Sequence, residues 1–399
     1  MSWPVVKLKD CCQSIADGDH QAPPKVDQGV PFITISNIIH NELDFTNTMF
    51  VPESYYNSID NKRRAKKGDI LYSVVGSFGI PVLITEDKKF SFQRHIAILR
   101  PNISIIDKYF LYYTMLCPDF YAMADAVAIG AAQRTISLNS LRNLEIKLPP
   151  LNIQKKIVNI LSPYDALIKN NNKQIKLLEE AAQRLYKEWF LDLRFPGHES
   201  TKIVDGVPEG WKICKLQDAI EFNPNIKISQ NRLKQHIPMS ALSISSMLLD
   251  FDVVTQTKST TGSKFQNGDT LLAKITPCLE NGKTAFVWGL DSDEGAVGST
   301  EYVVMRSKSL TPYFVYLFAR TENFRNIAIS SMSGSDGRQR VNIPQLKNFD
   351  FIHPTEKIID IFSSIVKPMF MQNYKLKFIN KKLIKIRNYF LQHIMNKYL

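Results

Sequence analysis

The chain is written twice, and no other feature constrains its fold as strongly: whatever architecture the first half adopts, the second must be able to adopt too. Trp3-Pro-Val-Val-Lys-Leu8-Lys-Asp10 matches Trp211-Lys-Ile-Cys-Lys-Leu216-Gln-Asp218, and Leu43-Asp44-Phe45 matches Leu249-Asp250-Phe251. Lys67-Gly68-Asp69-Ile70-Leu71 matches Asn267-Gly268-Asp269-Thr270-Leu271, and Ile96-Ala-Ile-Leu-Arg100 matches Tyr302-Val-Val-Met-Arg306. Tyr109-Phe110-Leu-Tyr112 matches Tyr313-Phe314-Val-Tyr316, and Leu141-Arg-Asn-Leu144 matches Leu346-Lys-Asn-Phe349. Six correspondences in one order require duplication rather than chance. The loops between them differ.

Each half opens on short strands. Residues 31–36, 69–75 and 95–99 are rich in β-branched side chains and bounded by Gly, Pro or Asn. The Gly-Asp pairs at Gly68 and Gly268 suit tight turns into a strand. A helical patch follows at 107–123, with its counterpart at 312–329. The fold class is α+β: two tandem mixed α/β domains, each followed by a long helix. Pro149-Pro150 ends the first domain and Pro354 the second. A short helix is expected over 152–161, with Pro163 at the first turn of a longer one.

The long helices carry apolar seams. Ile168, Ile175, Leu178, Ala182, Leu185 and Trp189 recur at spacings of 7, 3, 4, 3 and 4. Met369, Leu376, Ile379, Leu383, Ile386 and Phe390 give the same pattern in the second half. A heptad needs a partner, and the simplest partner is the other helix. The expectation is an antiparallel coiled coil relating the halves by a pseudo-twofold. Its pairing residues are Ile175, Leu178, Leu185 and Trp189 against Leu376, Ile379, Ile386 and Phe390. Glu179, Glu180 and Glu188 would face Lys375, Lys377, Lys381, Lys382, Lys385 and Arg387 across the seam. Residues 163–191 would span roughly 44 Å at about 1.5 Å per residue, the length of about 13 base pairs at roughly 3.4 Å each.

Lysine and arginine total 50 against 38 acids, and a formal charge of +12 points to a polyanionic partner. Five cysteines without a C-x-x-C spacing suggest neither a disulfide framework nor a zinc site. No apolar run approaches the length of a membrane span, and residues 1–10 lack a signal-peptide pattern. A cytoplasmic protein without membrane partners is expected. Catalytic signatures are missing. There is no Asp/Asn-Pro-Pro-Tyr/Phe loop for amino-methyl transfer and no GxxxxGK[ST] phosphate loop. Asp119, Glu145 and Lys147 follow a nuclease-like carboxylate–carboxylate–lysine order, but the set is not duplicated.

The layout resembles the specificity subunits of type I restriction–modification systems. The likeness rests on the domain–helix–domain–helix duplication and on Leu148-Pro149-Pro150-Leu151-Asn-Ile-Gln154-Lys-Lys-Ile157. It rests also on Gly130-Ala-Ala-Gln133-Arg-Thr-Ile136, and on Leu185-Tyr-Lys-Glu-Trp189-Phe190 followed by Pro208-Glu209-Gly210-Trp211. In the second half the junction is Ile352-His353-Pro354-Thr355-Glu356, without the Gln. The loop there, Gly334-Ser-Asp-Gly337-Arg338-Gln339-Arg340, is one residue longer.

The resemblance implies a non-catalytic DNA-reading subunit. It would comprise target recognition domains at 1–150 and 209–355, spacer helices at 151–192 and 356–399, and a linker at 193–208. Double-stranded DNA with a bipartite site would be its ligand. Two modification (methyltransferase) subunits would be its partners, joined by restriction subunits where a system has them. It implies no cofactor in this chain, S-adenosylmethionine on the methyltransferase, and ATP and Mg on the restriction subunit. Base edges are read by Arg, Lys, Asn or Gln on loops. The candidates are Arg63, Arg64, Gln93, Arg94, Gln133 and Arg134 in the first half, and Lys264, Lys274, Arg338, Gln339 and Arg340 in the second. Arg338→Ala is expected to weaken DNA binding by about 1–3 kcal/mol and to relax one base position. Unchanged affinity and unchanged site preference of the assembled methyltransferase would refute that assignment.

Overall fold

The computed structural model describes residues 3–398 apart from 21, 40, 47, 132, 292–294 and 336. It divides into two compact units, Met1–Ile168 with Lys381–Leu399, and Lys169–Asn380. In the first, four antiparallel strands stand in the order Cys12–Asp17, Ile96–Pro101, Ile70–Ser73, Pro81–Leu83. Ala97 lies between Asp17 and Tyr72. A second sheet orders Met49–Val51, Val30–Ile33 and Ser91–Phe92. In the other unit Ile220–Phe222, Tyr302–Ser307, Thr270–Ala273 and Thr284–Phe286 repeat the first order. Thr255–Thr257, Lys234–Ile237, Ala296–Gly298 and Ser263–Phe265 form its second sheet.

The helical patches are each two helices, Lys108–Leu116 with Pro118–Ala126, and Pro312–Arg320 with Glu322–Ser330. The breaks are local. Cys117 precedes a proline and is extended, as that position favours. Thr321 is extended too, and its hydroxyl caps the next helix by accepting from the Phe324 N–H at 3.2 Å. These helices cover the sheets with fully buried aromatics: Phe110, Tyr113 and Phe120 in the first unit, Phe314, Tyr316 and Phe324 in the second.

The repeated Gly-Asp and the distant repeated Arg belong to one interaction. Gly68 and Gly268 turn at φ 98° and 93°, a conformation in which a side chain is strained. The aspartate that follows accepts from its own turn, Lys66 N–H at 2.9 Å and Gln266 N–H at 2.8 Å. It also receives both prongs of the arginine at the far end of the neighbouring strand. Arg100 donates to Asp69 at 2.9 and 2.8 Å, and Arg306 to Asp269 at 2.7 and 2.7 Å. Both carboxylates are buried. A bidentate pair of this kind fixes the register of two strands at one end.

The two long helices are Leu151–Tyr186 and Glu356–Tyr398. The break expected before Pro163 is not there: Pro163 lies inside the first helix, and Pro368 at the matching place in the second. An interior proline forgoes one backbone bond and crowds the turn before it, so packing on either side must hold these helices straight through. Gln154 anchors the first helix start. Wholly buried, it accepts from the Asp107 N–H at 2.7 Å and donates to the carbonyls of Ile105 and Pro149 at 3.1 and 2.8 Å. Ile359, also buried, stands where the second helix lacks that glutamine.

The helices pair antiparallel within each unit. In the first, Asp165 meets Arg387 at 2.5 Å and Tyr164 packs against Phe390 with tilted rings whose centroids lie 6.0 Å apart. Tyr113 donates to the same Asp165 at 2.6 Å. In the second, Asn171 donates to Asn380 at 2.8 Å, and Asn373 donates to the Ile175 carbonyl at 3.3 Å. The seam of the second helix is therefore Phe362, Val366, Phe370, Asn373, Leu376, Asn380, Leu383 and Arg387, continued by Leu391 and Ile394. Ile379 and Ile386 are not in it: they are 42% and 43% exposed. Aligning Pro163 with Pro368 pairs Ile175 with Asn380, one helical turn beyond the Leu376 that apolar spacing selects. Trp189 does meet the other helix, 5.7 Å from Phe362, and Leu178 and Leu185 are half-buried.

The expected ladder of acids against lysines is also replaced. Glu180 pairs at 3.8 Å with Lys176 on its own helix. Lys377 donates to the Leu248 and Leu249 carbonyls at 3.3 and 3.2 Å. Glu179 points inward, accepting from the Met247 N–H at 2.7 Å and from Asn373 at 3.2 Å. Burial pushes its carboxyl above the usual 4.5, against the opposing pull of those donors and of Arg320 and Lys377.

Two outcomes follow. Arg306→Ala strands Asp269 in the core and is expected to cost about 3–5 kcal/mol in denaturant unfolding of the chain; a loss below about 1 kcal/mol would equate the clasp with a surface pair. With its pKa raised in the fold, Glu179 binds a proton more readily folded than unfolded. Stability should therefore fall as pH rises from 4.5 through the raised value. Glu179→Gln should remove that part of the slope in melting temperature against pH, and an unaltered slope would show that Glu179 titrates normally.

Candidate nucleic-acid interface

The strand pair clasped at one end carries a loop at the other. Beyond Ile70–Ser73, the Val74 N–H donates to the His95 carbonyl at 2.9 Å, and Val74 O accepts from Ile136 at 3.0 Å. Gly76 N–H donates to Arg134 O at 3.1 Å, while Ile129 and Thr135 exchange two bonds of 2.9 Å. Gly130 turns the loop at φ 92°, where a Cβ would lie 2.4 Å from the Gln133 carbonyl oxygen. The second unit builds the same scaffold. Lys274 N–H donates to Glu301 O at 3.0 Å, and its carbonyl accepts from Val341 at 2.9 Å. Thr276 N–H donates to Gln339 O at 3.2 Å, and Ser333 and Arg340 exchange bonds of 3.0 and 2.9 Å. Backbone bonding thus places Arg134 with Gln339, Thr135 with Arg340 and His95 with Glu301.

In the first unit these segments line a cleft of about 410 Å³ containing Asp17, His20, Arg94, His95, Gln133 and Thr135. Arg94 and Gln133 are exposed on it and Gln93 is half-buried beside them. Arg134 is turned to Asp125, its Nε 2.9 Å from Oδ1 and its Nη2 2.8 Å from the same oxygen, and Nη2 also donates to the Asp125 carbonyl. Arg63 is committed to Asp17 at 3.4 Å and to the Gly18 carbonyl at 3.3 Å. His20 holds that aspartate from the other side at 2.7 Å. Arg64 folds back to the Asn57 carbonyl and over the Tyr56 ring. Arg63 and Arg64 therefore have partners within the fold.

In the second unit Glu301 stands between two cations. Arg340 grips it with Nη2 at 2.8 Å and Nε at 3.0 Å, and Lys274 lies 3.9 Å away. The Arg340 guanidinium holds the Glu301 carboxyl below the usual carboxylate range, against the effect of partial burial, and Lys274 adds to it. Arg338 is exposed and Gln339 half-buried. Lys264 is half-buried on the strand Ser263–Phe265 and in none of these bonds. Asp125, Glu301, Asp17 and His20 were not singled out from the sequence. Glu301 was findable, since it precedes the repeated strand as His95 does; nothing marked Asp125. Among the described residues no group of three or more His, Cys, Asp or Glu could hold a metal ion, and no helix is long and apolar enough to cross a membrane.

Residues 2–180 match the family model of the type I restriction modification DNA specificity domain. The putative type I restriction enzyme MjaX specificity subunit of Methanocaldococcus jannaschii is 33% identical over 221 residues, 54% of this chain and 52% of that protein. The type I restriction enzyme HindI specificity subunit of Haemophilus influenzae is 20% identical across 99% of both chains. The first 180 residues of the chain therefore carry the likeness to type I specificity subunits most directly. The match to the MjaX protein spans about half of that relative's length. The fold is also that of the crystallised type I S subunit from M. genitalium, with a TM-score of 0.55 at 15% identity over 98% of this chain and 95% of that one. The two loop scaffolds are the same element built twice. Gly130–Thr135 and Gly334–Arg340 differ by one residue in length and in the positions of their charged side chains.

Proposed function

We propose that this specificity subunit reads a bipartite site in double-stranded DNA, one half with each domain, and confers that site on two modification (methyltransferase) subunits docked on its long helices. Restriction subunits join where the system carries them. The chain itself is non-catalytic: S-adenosylmethionine belongs to the methyltransferase, ATP and Mg to the restriction subunit. The complex works in the cytoplasm. The recognition domains are 1–150 and 209–355, the spacer helices 151–192 and 356–399. One observation carries the reading: a single loop scaffold occurs twice with the same backbone bonds and different polar side chains. That is what two readers of unlike half-sites require. The net charge of +12 supports a polyanionic ligand. Methylation mapping by sequencing DNA from cells with and without this chain is the test. Two short blocks separated by a fixed unspecified gap should be methylated only when the chain is present. Loss of no motif, or loss of a contiguous palindrome, would overturn the proposal.

A further inference from the structure

We propose that Asp125 and Glu301 are positioning residues that aim Arg134 and Arg340 at a guanine, one in each half of the DNA site; this rests on the reading above and names the base it reads. Each arginine is held along its Nε–Nη2 edge, Arg134 by Asp125 and Arg340 by Glu301. In Arg340 the Nη1 group takes part in none of these bonds, which leaves the Nη1–Nη2 end for a ligand. In Arg134 the Nη2 group also donates to the Asp125 carbonyl, a bond that must yield before both prongs of that end can serve. The two side chains are 48% and 39% exposed. That end is the one that donates two parallel bonds to O6 and N7 of guanine in the major groove.

Three arguments separate this from an ordinary ion pair. First, the paired guanidinium is nearly neutralised, which makes it a poor magnet for phosphate. Exposed Arg94, which no acid grips among the described residues, suits the backbone better. Second, a side chain already held in one rotamer loses less freedom on binding, so the pair favours a directed contact. Third, the two pairs are not inherited copies. Arg134 matches Gln339 in the backbone scaffold and Arg340 matches Thr135. The acids come from different elements, Asp125 from the helix Pro118–Ala126 and Glu301 from the residue before the strand Tyr302–Ser307. The Asp69–Arg100 and Asp269–Arg306 clasps, by contrast, occupy the same place in both halves and leave their arginines far less exposed. A device placed twice by different routes on the same loop answers to what the loop meets.

The test uses the assembled methyltransferase, with base preference read by sequencing of methylated DNA from a randomised pool. The wild type should require a G·C pair in each block. Glu301→Gln should reduce guanine preference roughly five- to a hundredfold at one position of one block and leave the other block unchanged. Asp125→Asn should do the converse. Arg340→Lys keeps the charge but not the two-pronged geometry; it should lose guanine preference while retaining salt-dependent binding to unrelated DNA. It decides the matter if Glu301→Gln fails to fold. A split motif with one block free of G·C pairs, or variants whose base preference is unchanged, would overturn the assignment. A methylome with no split motif would instead overturn the reading beneath it.

Discussion

The fold of each domain depends on one buried contact, the two-pronged arginine–aspartate clasp between adjacent strands of its sheet. The aspartate sits at the start of one strand and the arginine at the end of its neighbour. Their opposite ends are the residues that hold the loop: Val74 and His95, Lys274 and Glu301. A register slip of one residue would exchange the two faces of a strand and carry the loop's anchor points with it. The clasp costs desolvation of two charges, which geometry repays only when both oxygens are bonded. Here both are, and the turn's own N–H adds a third donor. The glycine before each aspartate is the condition for that turn, which is why Gly-Asp is what the duplication kept.

The long helices use the same device with weaker charges. Their seam is not a plain apolar stripe. It holds Asn171 against Asn380, Asn373 against the Ile175 carbonyl, and Asp165 against Arg387. Apolar side chains alone would let one helix slide past the other by a turn, since leucine packs against isoleucine in either position. A buried amide that must meet its mate permits one register. Pro163 and Pro368 remove backbone bonds from the helix interiors, and packed side chains on both sides keep each helix whole.

What was legible in the sequence was what repeats. The strands around Asp69 and Ile96, the aromatic helices and the two long helices all came from matched segments. So did the equivalence of the loops at Gln133 and Arg338. What was not legible followed from reading periodicity through hydrophobicity. The second helix's seam runs through Asn373, Asn380 and Arg387, which an apolar template skips, so Ile379 and Ile386 were drawn in beside them. Glu179 was set against the lysines of the second helix because its partner, the Met247 N–H, is a backbone atom from a distant loop. Gln154 was recognisable as part of a motif, but its three bonds to the Ile105–Asp107 turn and Pro149 explain why a glutamine stands there. The same limit hid the loop acids: Asp125 matters through an arginine nine residues on, and no pattern of composition encodes that contact.

The division between clasp and loop also explains how one scaffold can carry two unlike loops. Nearly every bond that shapes the loop is made by backbone atoms: Gly76 to Arg134, Ile129 to Thr135, Thr276 to Gln339, Ser333 to Arg340. None depends on which side chain stands at 133–135 or 338–340. Those side chains can therefore change while the loop's backbone path is kept. The strand ends and the clasp behave in the opposite way, because a side chain lost there leaves a buried charge. Duplication of such a domain preserves the frame and lets the two loops diverge. In this chain the divergence has gone as far as an ion pair on one copy of the backbone and none at the same place on the other, with His95 and Thr135 in the first loop where the second has Glu301 and Arg340.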